Sequence, residues 1–197
     1  ISDDFINNFI INNRLEIDNI GCTFFETMTA MALEYFKVNK VDIAILETGL
    51  GGKYDSVTAC KPSLQLFTSI SMDHMNILGS TLEEIAEQKA SAIRSGISCI
   101  SIKQKPSVSR ILLNNAEKKS SSINFISSSS INYQNLELMG YHQHDNLSLA
   151  IHGVKKLYSL TDKTILMGIK NIYWPGRIQL VHNNPKVIFD VAHNEDS

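Results

Sequence analysis

Apolar residues along this chain fall into two kinds of run. Some recur at every third or fourth position, as on one face of a helix; others are short and continuous, as in a strand buried on both faces. Ile1 to Asn13 has the helical spacing, with Phe5, Phe9 and Ile10 on one side. Thr23-Phe24-Phe25-Glu26 has the spacing of a capping box, a hydroxyl acceptor with a Glu three residues on, and predicts a helix to about Phe36. Lys37-Val38-Asn39-Lys40 closes it, and the continuous run Val41 to Leu46 predicts a buried strand, followed by a loop at Gly49, Gly51 and Gly52. Leu64 to Ile70 predicts a second strand. Thr81-Leu82-Glu83-Glu84 is a second capping box, opening a helix that ends near Arg94-Ser95-Gly96. Ser98 to Ile102 predicts the next strand, and Pro106 suits the first turn of the helix after it. Ile123 to Ile126 and Leu136 to Met139 are further candidate strands, and Asp145 to Leu160 a helix with Leu147, Ala150, Ile151, Val154 and Leu157 at helical spacing. The serine clusters at 120–122 and 127–130 read as polar surface loops.

Strands alternating with helices predict an α/β fold: a three-layer, mostly parallel sheet covered on both faces, from residue 1 to about 172. Trp174-Pro175-Gly176 is the strongest boundary signal, and Lys186 to Val191 starts a new strand, so residues 175–197 are expected to begin a second α/β domain. There is no internal repeat.

Composition narrows the function classes. Of the 197 residues 43% are apolar and 19% charged, which favours a packed core over disorder. A net charge of −2 argues against a nucleic-acid surface or a polybasic membrane surface. Cys22, Cys60 and Cys99 are far apart, which fits reduced thiols in a cytoplasmic protein rather than a disulfide frame or zinc site. No apolar run approaches the roughly 20 residues that span a bilayer. The chain starts with Ile rather than Met and stops just after a predicted strand, so both ends are expected to lie inside a longer protein.

Three positions invite chemistry. Glu47 directly follows an apolar run and precedes a glycine-rich loop, a placement that suits a metal ion beside a phosphate at the carboxyl end of a parallel strand. From this feature alone the plainer reading, a strand-end Glu that caps a helix or faces solvent, has the better claim. Asp73-His74 has the same placement after Thr68-Ser69-Ile70-Ser71; a lone His there is more often structural, and magnesium prefers oxygen. With about 100° per residue, Leu82, Ile85, Ala86 and Ile93 share one helical face with Lys89 in its middle, while Glu83, Glu87 and Arg94 lie opposite. Such a Lys either snorkels, the usual outcome, or pairs with an acid, or becomes a neutral amine able to take up carbon dioxide as a carbamate. Gly49-Leu50-Gly51-Gly52-Lys53 is not a Walker A loop, and no G-x-x-x-x-G-K-[ST] string occurs in the chain.

Together these segments resemble the folylpolyglutamate synthase and dihydrofolate synthase family of the Mur ligase superfamily. Leu46-Glu47-Thr48-Gly49-Leu50-Gly51-Gly52-Lys53-Tyr54-Asp55 is similar to its L-E-V-G-L-G-G-R-L-D motif. Ser69 to Gly79 resembles S-I-x-x-D-H-x-x-x-L-G, Thr81 to Ala90 resembles T-L-x-x-I-A-x-x-K-A, and Gly140 to Asn146 resembles G-x-H-Q-x-x-N. Pro175-Gly176-Arg177 and Asp190-Val191-Ala192-His193-Asn194 resemble P-G-R and D-x-A-H-N, and Thr23-Phe24-Phe25-Glu26 looks like the T-F-F-E helix start. The motifs come in family order and cover most of the chain.

The resemblance implies an ATP-dependent ligase with the Mur ligase central ATPase-type domain. It would add L-glutamate to a folate or dihydropteroate carboxylate through an acyl phosphate. It implies Glu47, His74 and carbamylated Lys89 as Mg2+ ligands, with Lys89, His74 and Arg177 as the catalytic set. Asn146, Arg177, Asp190 and His193 would hold ATP, with Arg177 near the phosphates and Asp190 near the ribose. A monomer is expected, and the 197 residues alone are expected to be inactive, since the family's upstream P-loop is missing from them. Lys53 stands for the usual Arg, Thr58 for a frequent Asn and Ser91 for Gly. The competing readings are a non-catalytic nucleotide-binding relative and another Mur-type peptide ligase.

Overall fold

The structure is a computed structural model that describes residues 1–127 and 140–192. By contact density the chain divides into two compact units, Ile1–Cys60 and Lys61–Ser197.

The first unit is built on two helices. α1 spans Asp3–Ile20, begins where Ser2 Oγ accepts from Phe5 N at 3.3 Å, and ends on Gly21 with φ 71°. It is longer than the 13 residues predicted, running on through Arg14 and Ile17 to the left-handed cap at Gly21. α2 spans Phe24–Val38 and starts on the predicted capping box: Thr23 Oγ1 accepts from Glu26 N, and Glu26 accepts in return from Thr23 N at 2.8 Å. The helices meet through an edge-to-face pair, Phe5 with Tyr35, their ring centres 5.1 Å apart. Phe9 and Met31 are buried; Ile10, predicted on the same face as Phe5 and Phe9, is exposed.

Val41 to Leu46, predicted as a buried strand, forms none: it has no ladder partner among the described residues, and Ile45 is 89 % exposed. Apolar character alone does not make a strand. A strand exists only through hydrogen bonds to a neighbour, and no described segment supplies one here. The unit closes with a 3-10 turn at Ser56–Ala59, whose N-cap is Asp55.

The second unit carries the sheet. β1 (Gln65–Phe67), β2 (Cys99–Ile102) and β3 (Ile123–Ile126) lie in the order β1-β2-β3, all parallel, with Gln65 opposite Cys99 and Cys99 opposite Ile123. β2 is buried at all four residues, as the central strand of a sheet covered on both faces must be. Its side chains alternate accordingly. Cys99 joins a core with Phe67, Ile85, Ala86, Val108 and Leu112, while Ile100 and Ile102 join Leu149.

The connecting helices follow the predicted signals. α3 is the short Met75–Leu78; α4 spans Leu82–Ala90 behind the Thr81–Glu84 capping box. α4 stops one turn before the predicted end, and the chain then turns through Ser91–Gly96. There Gln65 fastens it, its amide nitrogen donating to Ala92 O at 2.8 Å and its oxygen accepting from Arg94 N at 2.7 Å. α5 spans Pro106–Lys118 with Pro106 in the first turn as predicted. α6 spans Tyr141–Leu157 and packs on β2. Gly153 allows a close approach of this helix to β1, since a Cβ there would stand 3.0 Å from Leu66 Cδ1. α7 (Asp162–Lys170) and the antiparallel pair β4 (Gln179–Asn183) and β5 (Lys186–Phe189) complete the unit. α7 and β4 are not among the predicted elements. The predicted strand at Leu136 to Met139 lies outside the described residues.

Candidate functional site

The predicted residues occupy three places. Glu47 lies in the first unit, exposed, at the entrance to the glycine loop. That loop closes on Asp55, whose Oδ2 accepts from Gly49 N and Leu50 N at 2.9 Å each, while Oδ1 accepts from Val57 N at 3.1 Å. Opposite, Gly49 lies against the Phe25 ring, where an added Cβ would stand 2.7 Å from Phe25 Cζ. Because Val41 to Leu46 is not in the sheet, Glu47 does not stand at the carboxyl end of a parallel strand, the placement its position after an apolar run suggests.

His74 follows β1 and adopts a left-handed backbone, φ 49° and ψ 39°, at the head of α3. Asp73 fixes that turn: its Oδ1 accepts from His74 N at 2.8 Å, and Oδ2 lies 3.8 Å from His74 Nε2. The segment between β1 and His74 is held by Gln104. Its oxygen accepts from Ile70 N at 3.1 Å, and its nitrogen donates to Thr68 O at 2.7 Å and to Ser101 Oγ at 3.1 Å. Lys89 is half-buried on α4 between the buried Ile85, Ala86, Ala90 and Ile93, as the helical spacing predicts. Among the described residues it has no carboxylate within ion-pair distance.

The third place is the start of α6 and the base of the β4–β5 pair. Asp190 accepts from Ile178 N at 2.6 Å through Oδ2 and from Ala192 N at 2.7 Å through Oδ1. These two backbone donors, aided by the charges of Arg177 and His142, hold its carboxyl below the usual Asp range. Asn146, one turn along α6 from His142, donates to Gln143 Oε1 at 3.2 Å. Arg177 and Asn146 are exposed, so both side chains are open to a ligand. Arg177, 13 residues before Asp190, and His142 on α6 act on the carboxyl by charge only, after its two backbone donors. His193 lies outside the described residues.

An open cleft of about 650 Å³ lies beside α4, lined by Ile77, Gly79, Ser80, Glu83, Glu87 and Ile111 among others. It contains none of the predicted site residues. Two of its carboxylates are already engaged: Ser80 N and Thr81 N donate to Glu84, whose carboxyl lies below its usual range, and Asn115 Nδ2 donates to Glu87 at 2.9 Å.

Sequence reasoning overlooked Gln104 and gave Asp55 no role. Both act by holding backbone, and the one sequence signal is Asp55 standing before a turn, where Asp commonly accepts from the amide two residues on.

The sequence profile of the Mur ligase middle domain matches residues 10–173. This chain belongs to that family, in its folylpolyglutamate and dihydrofolate synthase branch. The dihydrofolate synthase/folylpolyglutamate synthase of Bacillus subtilis is 34% identical over 202 residues, covering 88% of this chain and 47% of the relative. A solved FPGS–AMPPCP–folate complex matches with a TM-score of 0.90 at 25% identity, covering 100% of this chain and 56% of that one. Escherichia coli FolC in complex with DHPP and ADP matches with a TM-score of 0.78 at 29% identity, covering 88% and 45%. The chain therefore spans about half the length of the relatives it matches.

Among the described residues no three of His, Cys, Asp and Glu gather as a metal site, and no helix is long and apolar enough to cross a membrane. His74 offers nitrogen and Lys89 an ammonium, so as they stand they do not suit magnesium, which wants hard oxygens.

Proposed function

We propose that this Mur ligase middle domain serves an ATP-dependent ligase that joins L-glutamate to a folate or dihydropteroate carboxylate. What carries the proposal is the α6 and β4–β5 corner: a carboxylate fixed by two backbone donors beside an exposed Arg, in a fold similar to a relative solved with AMPPCP and folate. Asp190 would accept from the ribose, Arg177 would neutralise charge growing on the transferred phosphoryl group, and Asn146 and His193 would complete the nucleotide contacts. The γ-phosphoryl group passes from ATP to a carboxylate oxygen, giving acyl phosphate and ADP. The glutamate amine then attacks the acyl carbon, an amide C–N bond forms, phosphate leaves and the amine gives up a proton.

Glu47 in the first unit, and His74 and Lys89 in the second, are each proposed as magnesium ligands, Lys89 as a carbamate, which would turn an unpaired half-buried amine into a pair of oxygens. When bound, the ion would neutralise phosphate charge. The division into a three-layer domain to about 172 and a further domain from 175 is likewise proposed. Residue 173, where the family match ends, and the helices on both sides of β2 support it.

The test is turnover by the complete protein that carries this domain, followed as ADP release. Release that requires both glutamate and a folate or dihydropteroate substrate, with KM for ATP raised severalfold or more by Asp190→Ala, is the expected result. ADP release indifferent to glutamate would refute the proposal.

A further inference from the structure

Asp55 carries an inference that the family resemblance does not assign. Its side chain is buried, 9 % exposed, yet its two oxygens receive three backbone N–H groups. Two of these, from Gly49 and Leu50, are consecutive and converge on one oxygen, Oδ2. Successive amides aimed at one point make an anion-binding concavity. Here the concavity is filled by a carboxylate of the same chain, five and six residues further on.

Two consequences follow. The amides of Gly49 and Leu50 are not free to cradle a phosphate, so this glycine loop is not an anion loop. The loop is also held from two sides, because the Phe25 ring of α2 lies against Gly49 on the side where any Cβ would collide. Gly51, at φ 65°, supplies the turn that brings the chain back to Asp55. Glu47, two residues before the clamp, is left exposed.

We propose that Asp55 is a positioning residue: its carboxylate fills the concavity of the glycine loop and so fixes Glu47 for a divalent cation. The metal half of the proposal rests on Glu47 being a magnesium ligand; the loop half does not. Lys53 lies exposed between the clamped residues, so trypsin reads the loop independently of activity.

The experiment compares wild type, Asp55→Ala, Asp55→Asn and Glu47→Gln in the complete protein. In Asp55→Ala, tryptic cleavage after Lys53 should quicken by about tenfold or more. The magnesium concentration for half-maximal turnover should rise by about 10- to 100-fold, as for loss of a group that orients a metal ligand. Asp55→Asn keeps one acceptor oxygen and should fall between on both readouts, which also covers the case of an alanine variant that fails to fold. Glu47→Gln should shift the magnesium dependence and leave cleavage unchanged. Unchanged cleavage in both Asp55 variants would overturn the clamp. Faster cleavage with unchanged magnesium dependence would overturn the positioning role. A Glu47→Gln variant with normal magnesium dependence would sink the ligand assignment itself, and the trypsin readout would show that the loop was not at fault.

Discussion

Gln104 is bonded to Ile70 much as a fourth strand would be: its amide oxygen accepts from Ile70 N at 3.1 Å while its nitrogen donates to Thr68 O at 2.7 Å. A side-chain amide thus takes over where the β1–β2 ladder stops at Phe67. Gln104→Ala leaves a donor and an acceptor of the backbone without their partner. A loss of about 1–3 kcal/mol is expected in urea unfolding, with faster amide exchange at Ile70. Gln104→Glu keeps the acceptor and loses the donor, and should lie between. An unchanged midpoint for Gln104→Ala would mean that water replaces the amide without cost.

Leu112 tests the core. It is fully buried on α5 against the α4 face of the sheet. Leu112→Ala should cost about 2–5 kcal/mol, the range for a buried Leu whose cavity does not collapse. A loss below about 1 kcal/mol in chemical denaturation would show that α5 can close over the space.

Lys89 sits on the same apolar face of α4 that the spacing of Leu82, Ile85, Ala86 and Ile93 predicts. Lys89→Ala should therefore leave the circular dichroism spectrum unchanged. In the complete protein, if it is the proposed ligase, it should lower turnover by about a hundredfold, and acetate should restore part of it by supplying oxygens. A carbamate carbon signal from labelled bicarbonate, present in wild type and absent in the variant, is the second readout. Near-normal turnover together with no such signal would leave Lys89 as a snorkelling residue.

Asp190 sets an acid limit on its corner of the second unit. Its folded pKa is depressed, first by the amides of Ile178 and Ala192 and then by the charges of Arg177 and His142. A depressed folded value means that the stabilisation is fully present above the unfolded Asp value, about 3.9, and is lost as pH falls through the folded value. The Ile178 and Ala192 amide resonances should hold steady from neutrality down to about pH 4 and then move together. Amide resonances that stay unmoved through the acid range would show that the carboxylate does not hold them. Asp190→Asn, which keeps one acceptor oxygen, should abolish the acid transition.

The sequence was readable wherever a local signal governs local structure. Thr23–Glu26 and Thr81–Glu84 both form the predicted capping boxes, and Pro106 opens its helix, because each depends only on residues within a turn. Lys89 falls on the predicted face for the same reason. Val41 to Leu46 failed because strand identity depends on a partner that periodicity cannot supply. α7 was missed because its nine residues include Gly168 and its cap, Thr161, is followed at the third helical position by Thr164 rather than an acid. β4 was missed because its ends are polar and its pairing is irregular between Leu180 and His182. Asp190 and Arg177 were named by resemblance, but the backbone donors that fix Asp190, Ile178 N and Ala192 N, come together only in the fold.

Cys99 lies buried in β2 beneath α4 and α5, and burial pushes its thiol up to about 11. Since the thiolate is the reactive form, alkylation of Cys99 must wait until the sheet opens. Cys22 and Cys60 are only half-buried, and both belong to the first unit. The chain thus carries a thiol clock with its own reference. The rate at which a mass label appears on Cys99 measures how often the second unit comes apart, while Cys22 and Cys60 label from the folded state, without any residue being replaced.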